Sequence, residues 1–297
     1  MKHDLDSPLH SVSSVRYAKE VMQKYAFTFK KSLGQNFLID ANILDKIVSA
    51  ADLDAGAGVL EIGPGIGALT EKLAQAAHQV VAVEIDQRLI PILQETMEHY
   101  DNVQIIQGDI LQVQLDEIFQ QYFAGCTSQS VVANLPYYVT TPILMRLLEE
   151  KVPIKNIVVM IQKEVADRMT AAPGGKNYGS LSIAVQYYCQ AKMVTIVPHT
   201  VFIPQPNVDS AVIKLSVREK PPISVQSEAF FFQVVQAAFK QRRKTLYNNL
   251  RSSFSTISQE IVPILDSCEI DPSRRAETLH MEEFAKLSNA MLTYIPQ

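Results

Sequence analysis

VLEIGPGIGALT, residues 59–70, runs from an apolar segment through three glycines into helical spacing. VLEIG (59–63) predicts a buried strand and GALTEKLAQAA (67–77) a helix. Gly63, Gly65 and Gly67 give a turn that can bend sharply and bring backbone close to a ligand. The helix behind them presents free N–H groups at its first turn. The same alternation continues downstream. QVVAVEID (79–86), VQIIQGD (103–109), SVVANLP (130–136) and NIVVMIQ (156–162) read as strands. Helices are expected near 87–99 and over PILMRLLEE (142–150). Continuous Val/Ile strands separated by helices predict an α/β, Rossmann-like fold with a parallel sheet covered on both faces.

Outward from that core, residues 12–26 predict a basic amphipathic helix, KKSLGQNFLID (30–40) a loop, and 41–51 a second helix. KMVTIVP (192–198) and DSAVIKLSV (209–217) fit an antiparallel pair closing the sheet edge. REKPPISV (218–225) contains Pro221-Pro222 and reads as a linker. Beyond it, EAFFFQVVQAAFKQRRKTLYNNLRSSF and MEEFAKLSNAMLTYI carry helical spacing. The expected organisation is residues 1–217 as one domain and 218–297 as a small all-helical one.

The 297 residues are 47% hydrophobic and 20% charged, which excludes low-complexity disorder. No apolar run approaches the ~20 residues of a membrane helix, and MKHDLDSPLHSVSSVRYAKE has no signal-peptide stretch. A soluble cytoplasmic protein is expected. Cys126, Cys189 and Cys268 suit neither a disulfide framework nor a metal site, and no metal is expected. Net charge is −4, unevenly spread. Residues 47–150 hold 3 basic against 14 acidic side chains, whereas 213–251 hold 8 against 2 and 14–46 hold 6 against 3. Two basic flanks around an acidic middle suit a polyanion that touches part of the surface.

Glu84, at the end of the second strand, stands 21 residues after Gly63, where an acid can accept from both hydroxyls of a ribose. Asp109 ends the third strand, and can accept from an adenine amine or cap a helix. With the glycine turn these acids describe an adenosine pocket at the carboxyl ends of parallel strands. Nicotinamide dinucleotide and S-adenosylmethionine both fit it. At the end of the fourth strand stands Asn134-Leu135-Pro136-Tyr137. Methylation of an exocyclic base amine needs two acceptors to favour a pyramidal nitrogen. The Asn134 side-chain oxygen and a main-chain carbonyl of this turn supply them, and Tyr137 supplies a stacking face. Phe202 in VFIPQPNVDS is the candidate second aromatic wall, as a flipped base would need. The candidate catalytic set is therefore Asn134, Leu135, Tyr137 and Phe202.

Seven motifs then stand in one order: KKSLGQNFL (30–38), LEIGPGIGALT (60–70), VEID (83–86), GDIL (108–111), NLPYYVTTPI (134–143), FIPQPNVDSAV (202–212) and AFKQRRKTLYNNL (238–250). In these the chain resembles the ribosomal RNA adenine N6,N6-dimethyltransferase family, which includes the macrolide-resistance methyltransferases. The resemblance implies a seven-stranded S-adenosylmethionine-dependent methyltransferase domain with a small helical domain. It implies Asn36 and Leu38 closing over the cofactor, Gly63 beside its amino-acid moiety, Glu84 on the ribose and Asp109 on the adenine. Asn134 would line cofactor and target amine, with Tyr137 and Phe202 as the base-stacking pair. Lys240, Arg242, Arg243 and Lys244, and a second set of Lys30 and Lys31, would meet phosphates. The implied target is two adjacent adenosines in the 3′-terminal hairpin loop of 16S rRNA, within the small (30S) ribosomal subunit or its precursor. A role in 30S biogenesis and a monomeric state are expected with it. A resistance enzyme acting on 23S rRNA and an assembly factor whose main role is binding are the alternatives.

Overall fold

The computed structural model describes residue 12 and residues 15–30 and 33–295. The first half contains α1 (Val15–Lys24), β1 (Phe37–Leu38), α2 (Ala41–Ala50), β2 (Ala57–Ile62), α3 (Ala68–Ala76), β3 (Gln79–Glu84), α4 (Ile90–Thr96) and β4 (Val103–Gln107). Then follow α5 (Leu115–Phe123), β5 (Ser128–Asn134), α6 (Thr140–Glu149), β6 (Asn156–Gln162), α7 (Lys163–Met169), α8 (Ser180–Tyr188) and β7 (Cys189–Val197). The last part holds β8 (Phe202–Ile203), β9 (Ser210–Val217), α9 (Glu228–Ala238), α10 (Leu246–Ser253), α11 (Ile261–Ser267) and α12 (Met281–Leu292).

Seven strands form one sheet in the order β4-β3-β2-β5-β6-β9-β7, and β1 pairs separately with β8. Strands β2 to β6 run parallel along it. β2 is buried at every residue, and Val80–Val83 and Ile157–Ile161 are buried too, because helices cover both faces. The chain steps from β2 outward to β3 and β4, then returns to β5 on the other side of β2. That reversal opens a crevice at the carboxyl ends of β2 and β5, where ligands of open α/β sheets bind. The two late strands adjoin and close the sheet edge, as expected of them. β9 lies inside the sheet, antiparallel to β6 from Asn156↔Ser216 to Gln162↔Ser210, and β7 takes the edge. Asn156 secures this seam. It donates to the Ala51 carbonyl at 3.2 Å and accepts from Ser216 at 3.0 Å.

The chain divides into two units, and the division differs from a single cut after Val217. One unit runs to Ala166 and resumes over Lys192–Val217, while the other takes Asp167–Ala191 together with the residues from Arg218 onward. Side-chain packing explains the transfer of α8. Tyr187 stacks on Phe231 at 5.5 Å and Tyr188 on Phe232 at 5.8 Å, and both hydroxyls donate to Glu228, at 3.3 and 2.6 Å. α8 buries residues all round its axis, so its sequence lacks the one-sided stripe that marks a helix.

In the second unit the basic run does not lie on a helix, as its setting suggested. α9 stops at Ala238, and the Thr245 hydroxyl caps α10 by accepting from the Asn248 N–H at 3.3 Å. Lys240, Arg242, Arg243 and Lys244 therefore occupy an exposed connection. Buried Asn249 holds it, donating to the Ala238 carbonyl at 2.7 Å and the Gln241 carbonyl at 3.1 Å. Asn249→Ala takes its donor from the Ala238 carbonyl and one of two donors from the Gln241 carbonyl, which also accepts from the Lys244 N–H at 3.0 Å, and is expected to destabilise the chain by about 1–3 kcal/mol in urea denaturation. Unchanged stability would show that Asn249 does not hold the connection.

Candidate functional site

The turn after β2 is a run of left-handed glycines, with φ of 68° at Gly63, 64° at Gly65 and 94° at Gly67. At Gly63 an added Cβ would meet nothing within 4 Å, so conformation alone demands glycine, and the open space is the crevice. At Gly65 the neighbour also matters, because a Cβ would lie 2.9 Å from the Phe37 ring. The Gly63 N–H donates to the Val83 carbonyl at 3.0 Å. The Gly65 N–H donates to Glu84 Oε2 at 3.2 Å, which draws the turn onto the end of β3.

Two adjoining cavities open here, sharing Phe37, Gly63, Gly65 and Asn134 in their walls. Leu38 and Glu61 line the first, and Asn36, Glu84, Leu135 and Tyr137 the second. Glu84 also accepts from the Asp86 N–H at 2.8 Å, yet burial outweighs these bonds and pushes its carboxyl up to about 7. Glu61 was not singled out in the sequence. It is 1% exposed, its Oε2 has no hydrogen-bond partner among the described residues, and burial pushes its carboxyl up to about 8. The signal was present, since an acid inside the apolar run VLEIG has to be satisfied by something.

Asn134 ends β5, and its Nδ2 donates to the main-chain oxygen of Asn36 at 3.0 Å. Asn36 in turn donates from Nδ2 to the Gly34 carbonyl at 3.1 Å. In the turn that follows, the Pro136 carbonyl accepts from the Val139 N–H at 3.2 Å and the Thr140 hydroxyl at 3.1 Å. The Leu135 carbonyl accepts from no described residue. The Tyr137 hydroxyl bonds Ser210 Oγ at 2.8 Å, and burial raises its pKa above the usual phenol value. Its ring therefore offers a neutral face.

Asn36, Leu38, Gly63, Glu84, Asn134, Leu135 and Tyr137 thus surround one crevice, and two expected members do not. Phe202 is 2% exposed and sits in the core, because β8 pairs with β1 and sets it opposite Leu38. It is an interior side chain and not an open aromatic wall. Asp109 lies outside the walls of both cavities. Its Oδ1 accepts from the Leu111 N–H at 2.9 Å and its Oδ2 from Gln112 at 3.2 Å, so it caps the turn after β4. Lys30 is exposed in the strap before β1, and Lys31 falls outside the described residues. Gln241, Arg242, Arg243 and Lys244 line a separate open hollow of about 830 Å³ in the second unit.

The acceptor set fits S-adenosylmethionine. A carboxylate with an unpartnered buried oxygen, Glu61, suits the ammonium of its methionine portion, and Glu84 suits its ribose.

Comparison with known proteins gives the chain a family and several relatives. A model of the family described as ribosomal RNA adenine dimethylase matches residues 26–291. The chain is 57% identical to ribosomal RNA small subunit methyltransferase A of Bacillus pumilus, over 98% of each chain. It is 59% identical to the protein of that name from a Geobacillus species, over 92% of this chain and 95% of the relative. Among solved structures it is similar to a dimethyladenosine transferase from Plasmodium falciparum, with 28% identity and a TM-score of 0.73 over 84% of this chain and 95% of that one. The 23S rRNA methyltransferase ErmE shares the fold, with 24% identity and a TM-score of 0.64 over 86% of this chain and 98% of that one.

The raised pKa of Glu61 has a consequence for stability that can be measured. An acid shifted upward in the folded state stabilises fully below its unfolded value of 4.5, and that stability is lost as pH rises toward about 8. Glu61→Gln removes the titration. Its melting temperature is expected to gain on the wild type between pH 5 and pH 9, while its affinity for S-adenosylmethionine falls. Calorimetry and cofactor titration check both, and a parallel pH profile would place the charge elsewhere.

Proposed function

This chain belongs to the ribosomal RNA adenine dimethylase family, and we propose that it dimethylates N6 of adenosines in small-subunit ribosomal RNA, using S-adenosylmethionine. The target we favour is the pair of adjacent adenosines in the 3′-terminal hairpin loop of 16S rRNA, met in the 30S subunit or its precursor by a monomer in the cytoplasm. Modification would accompany subunit biogenesis. The observation that supports this reading is the pair of acceptors at the end of β5. Asn134 uses its Nδ2 on Asn36, which leaves Oδ1 for a ligand, and the Leu135 carbonyl accepts from no described residue while that of Pro136 is bound into its turn.

S-adenosylmethionine, when bound, supplies a methyl group on a sulfonium, an electrophile that needs only a suitably aimed lone pair. Glu61 would hold its ammonium and Glu84 its ribose, with Asn36, Leu38 and Gly63 enclosing it. The adenine N6 lone pair is delocalised into the ring. Asn134 Oδ1 and the Leu135 carbonyl, each accepting one N–H, favour a pyramidal nitrogen whose lone pair faces the methyl. Tyr137 stacks on the base, its ring steadied by Ser210. After the first transfer one N–H remains for one acceptor, so the same site acts twice. The alkylated nitrogen loses its proton readily to water.

Phosphate contacts come from Lys30 in the first unit and from Lys240, Arg242, Arg243 and Lys244 in the second, with Lys31 a further candidate. RNA of this kind is recognised by shape and splayed bases more than by groove edges.

The test is nucleoside mass spectrometry of undermethylated small subunits incubated with protein and cofactor, with naked 23S rRNA in parallel. Dimethyladenosine in the small-subunit sample alone is expected, and product in 23S rRNA alone would overturn the target. Asn134→Ala is expected to lower turnover by about 10²-fold or more while RNA binding persists. Retained turnover would remove Asn134 from the mechanism. Neutralising Arg242, Arg243 and Lys244 together should weaken RNA binding and reduce its log–log salt slope by about 2. An unaltered slope would locate the RNA elsewhere.

A further inference from the structure

Asp86 is a carboxylate only 3% exposed, two residues beyond the end of β3. Its Oδ1 accepts from the N–H and Nε of Arg88, at 3.2 and 2.9 Å. Its Oδ2 accepts from Arg88 Nη2 at 2.6 Å and from Gln35 Nε2 at 2.8 Å. The Arg88 bonds hold its carboxyl down at about 2, so it is a fixed anion. Arg88 reaches further. Its Nη1 donates to the Thr28 carbonyl at 3.0 Å, and its guanidinium lies 4.9 Å from the centre of the Phe27 ring. The strap ahead of β1 is therefore tied at several points to the loop after β3.

Within that strap the Gln35 amide is used at both ends. Nε2 donates to Asp86, and Oε1 accepts from the Lys30 N–H at 2.9 Å. The next residue is Asn36, whose main-chain oxygen receives Asn134 Nδ2. An asparagine amide can rotate by half a turn, exchanging its donor and acceptor ends, at little steric expense. Only one orientation donates to the Asn36 carbonyl, and that orientation turns Oδ1 to the other side.

We propose that Gln35 and Asp86 are positioning residues, which through the Asn36 carbonyl hold the Asn134 amide with its oxygen toward the target amine. This rests on the reading that Asn134 accepts from that amine. With the amide reversed, an N–H would face an N–H, and the acceptor that favours a pyramidal nitrogen is lost. The tether acts on the methyl-transfer step, which is read at saturating cofactor.

Gln35→Glu is nearly isosteric, keeps the acceptor for Lys30, removes the donor and sets a carboxylate against Asp86. Initial rates on undermethylated 30S subunits at saturating S-adenosylmethionine are expected to fall about tenfold or more, whatever happens to cofactor affinity. Gln35→Ala, which breaks the tether without repulsion, should show the same loss. A saturating rate unchanged in both single variants, or lost only through cofactor affinity, overturns the proposal. A wild-type protein that leaves 30S adenosines unmethylated fails the functional reading itself, and that control is read first.

Discussion

The buried carboxylate of Glu84 binds two loops together. One oxygen accepts from Gly65 in the turn after β2, the other from Asp86 in the turn after β3. Both turns lie beside the point where strand order reverses, so the crevice has its shape only if that carboxylate stays in place. Two backbone donors favour the charged form, yet burial prevails and leaves it near 7. Such a group retains capacity to accept from a ligand's hydroxyls.

Three acids close in the fold illustrate how partners decide role. Asp86 is as buried by surface as Glu84, and its carboxyl stands at about 2 because Arg88 grips it twice. Glu61, with an unpartnered oxygen, stands at about 8, and Glu84 between them at about 7. The paired acid builds structure, and the two underpaired ones face the cavities, where a ligand can complete their bonding.

What the sequence makes legible is whatever depends on periodicity and on glycine. The Val/Ile runs from Val59 to Gln162 mark five strands, and the spacing of Gly63, Gly65 and Gly67 marks the turn that carries the crevice. What stays hidden depends on partners distant in the chain. The tyrosines of α8 belong with Phe231 and Phe232, which no local pattern announces. Helix α5 did carry a readable stripe, Leu115, Ile118, Phe119 and Phe123, which the strand pattern overshadowed. Phe202 looks like a wall until β1 pairs over it, and the acid Asp109 uses its oxygens on its own turn. Glu61 is the converse case, an acid whose meaning comes from one buried oxygen with no partner among the described residues.

Methyl transfer to a weakly nucleophilic amine calls for aimed acceptors more than for a strong base. Of the two acceptors at the end of β5, the Leu135 carbonyl is aimed by backbone alone, since the next residue is a proline whose own carbonyl is locked by Val139 and Thr140. The Asn134 side chain is the one with freedom to turn. It is also the one to which the fold brings a contact from 98 residues away, and that contact rests on Gln35, Asp86 and Arg88 in succession. Long-range bonding thus falls on the rotatable one of the two acceptors, where a half-turn of one amide exchanges an acceptor for a donor.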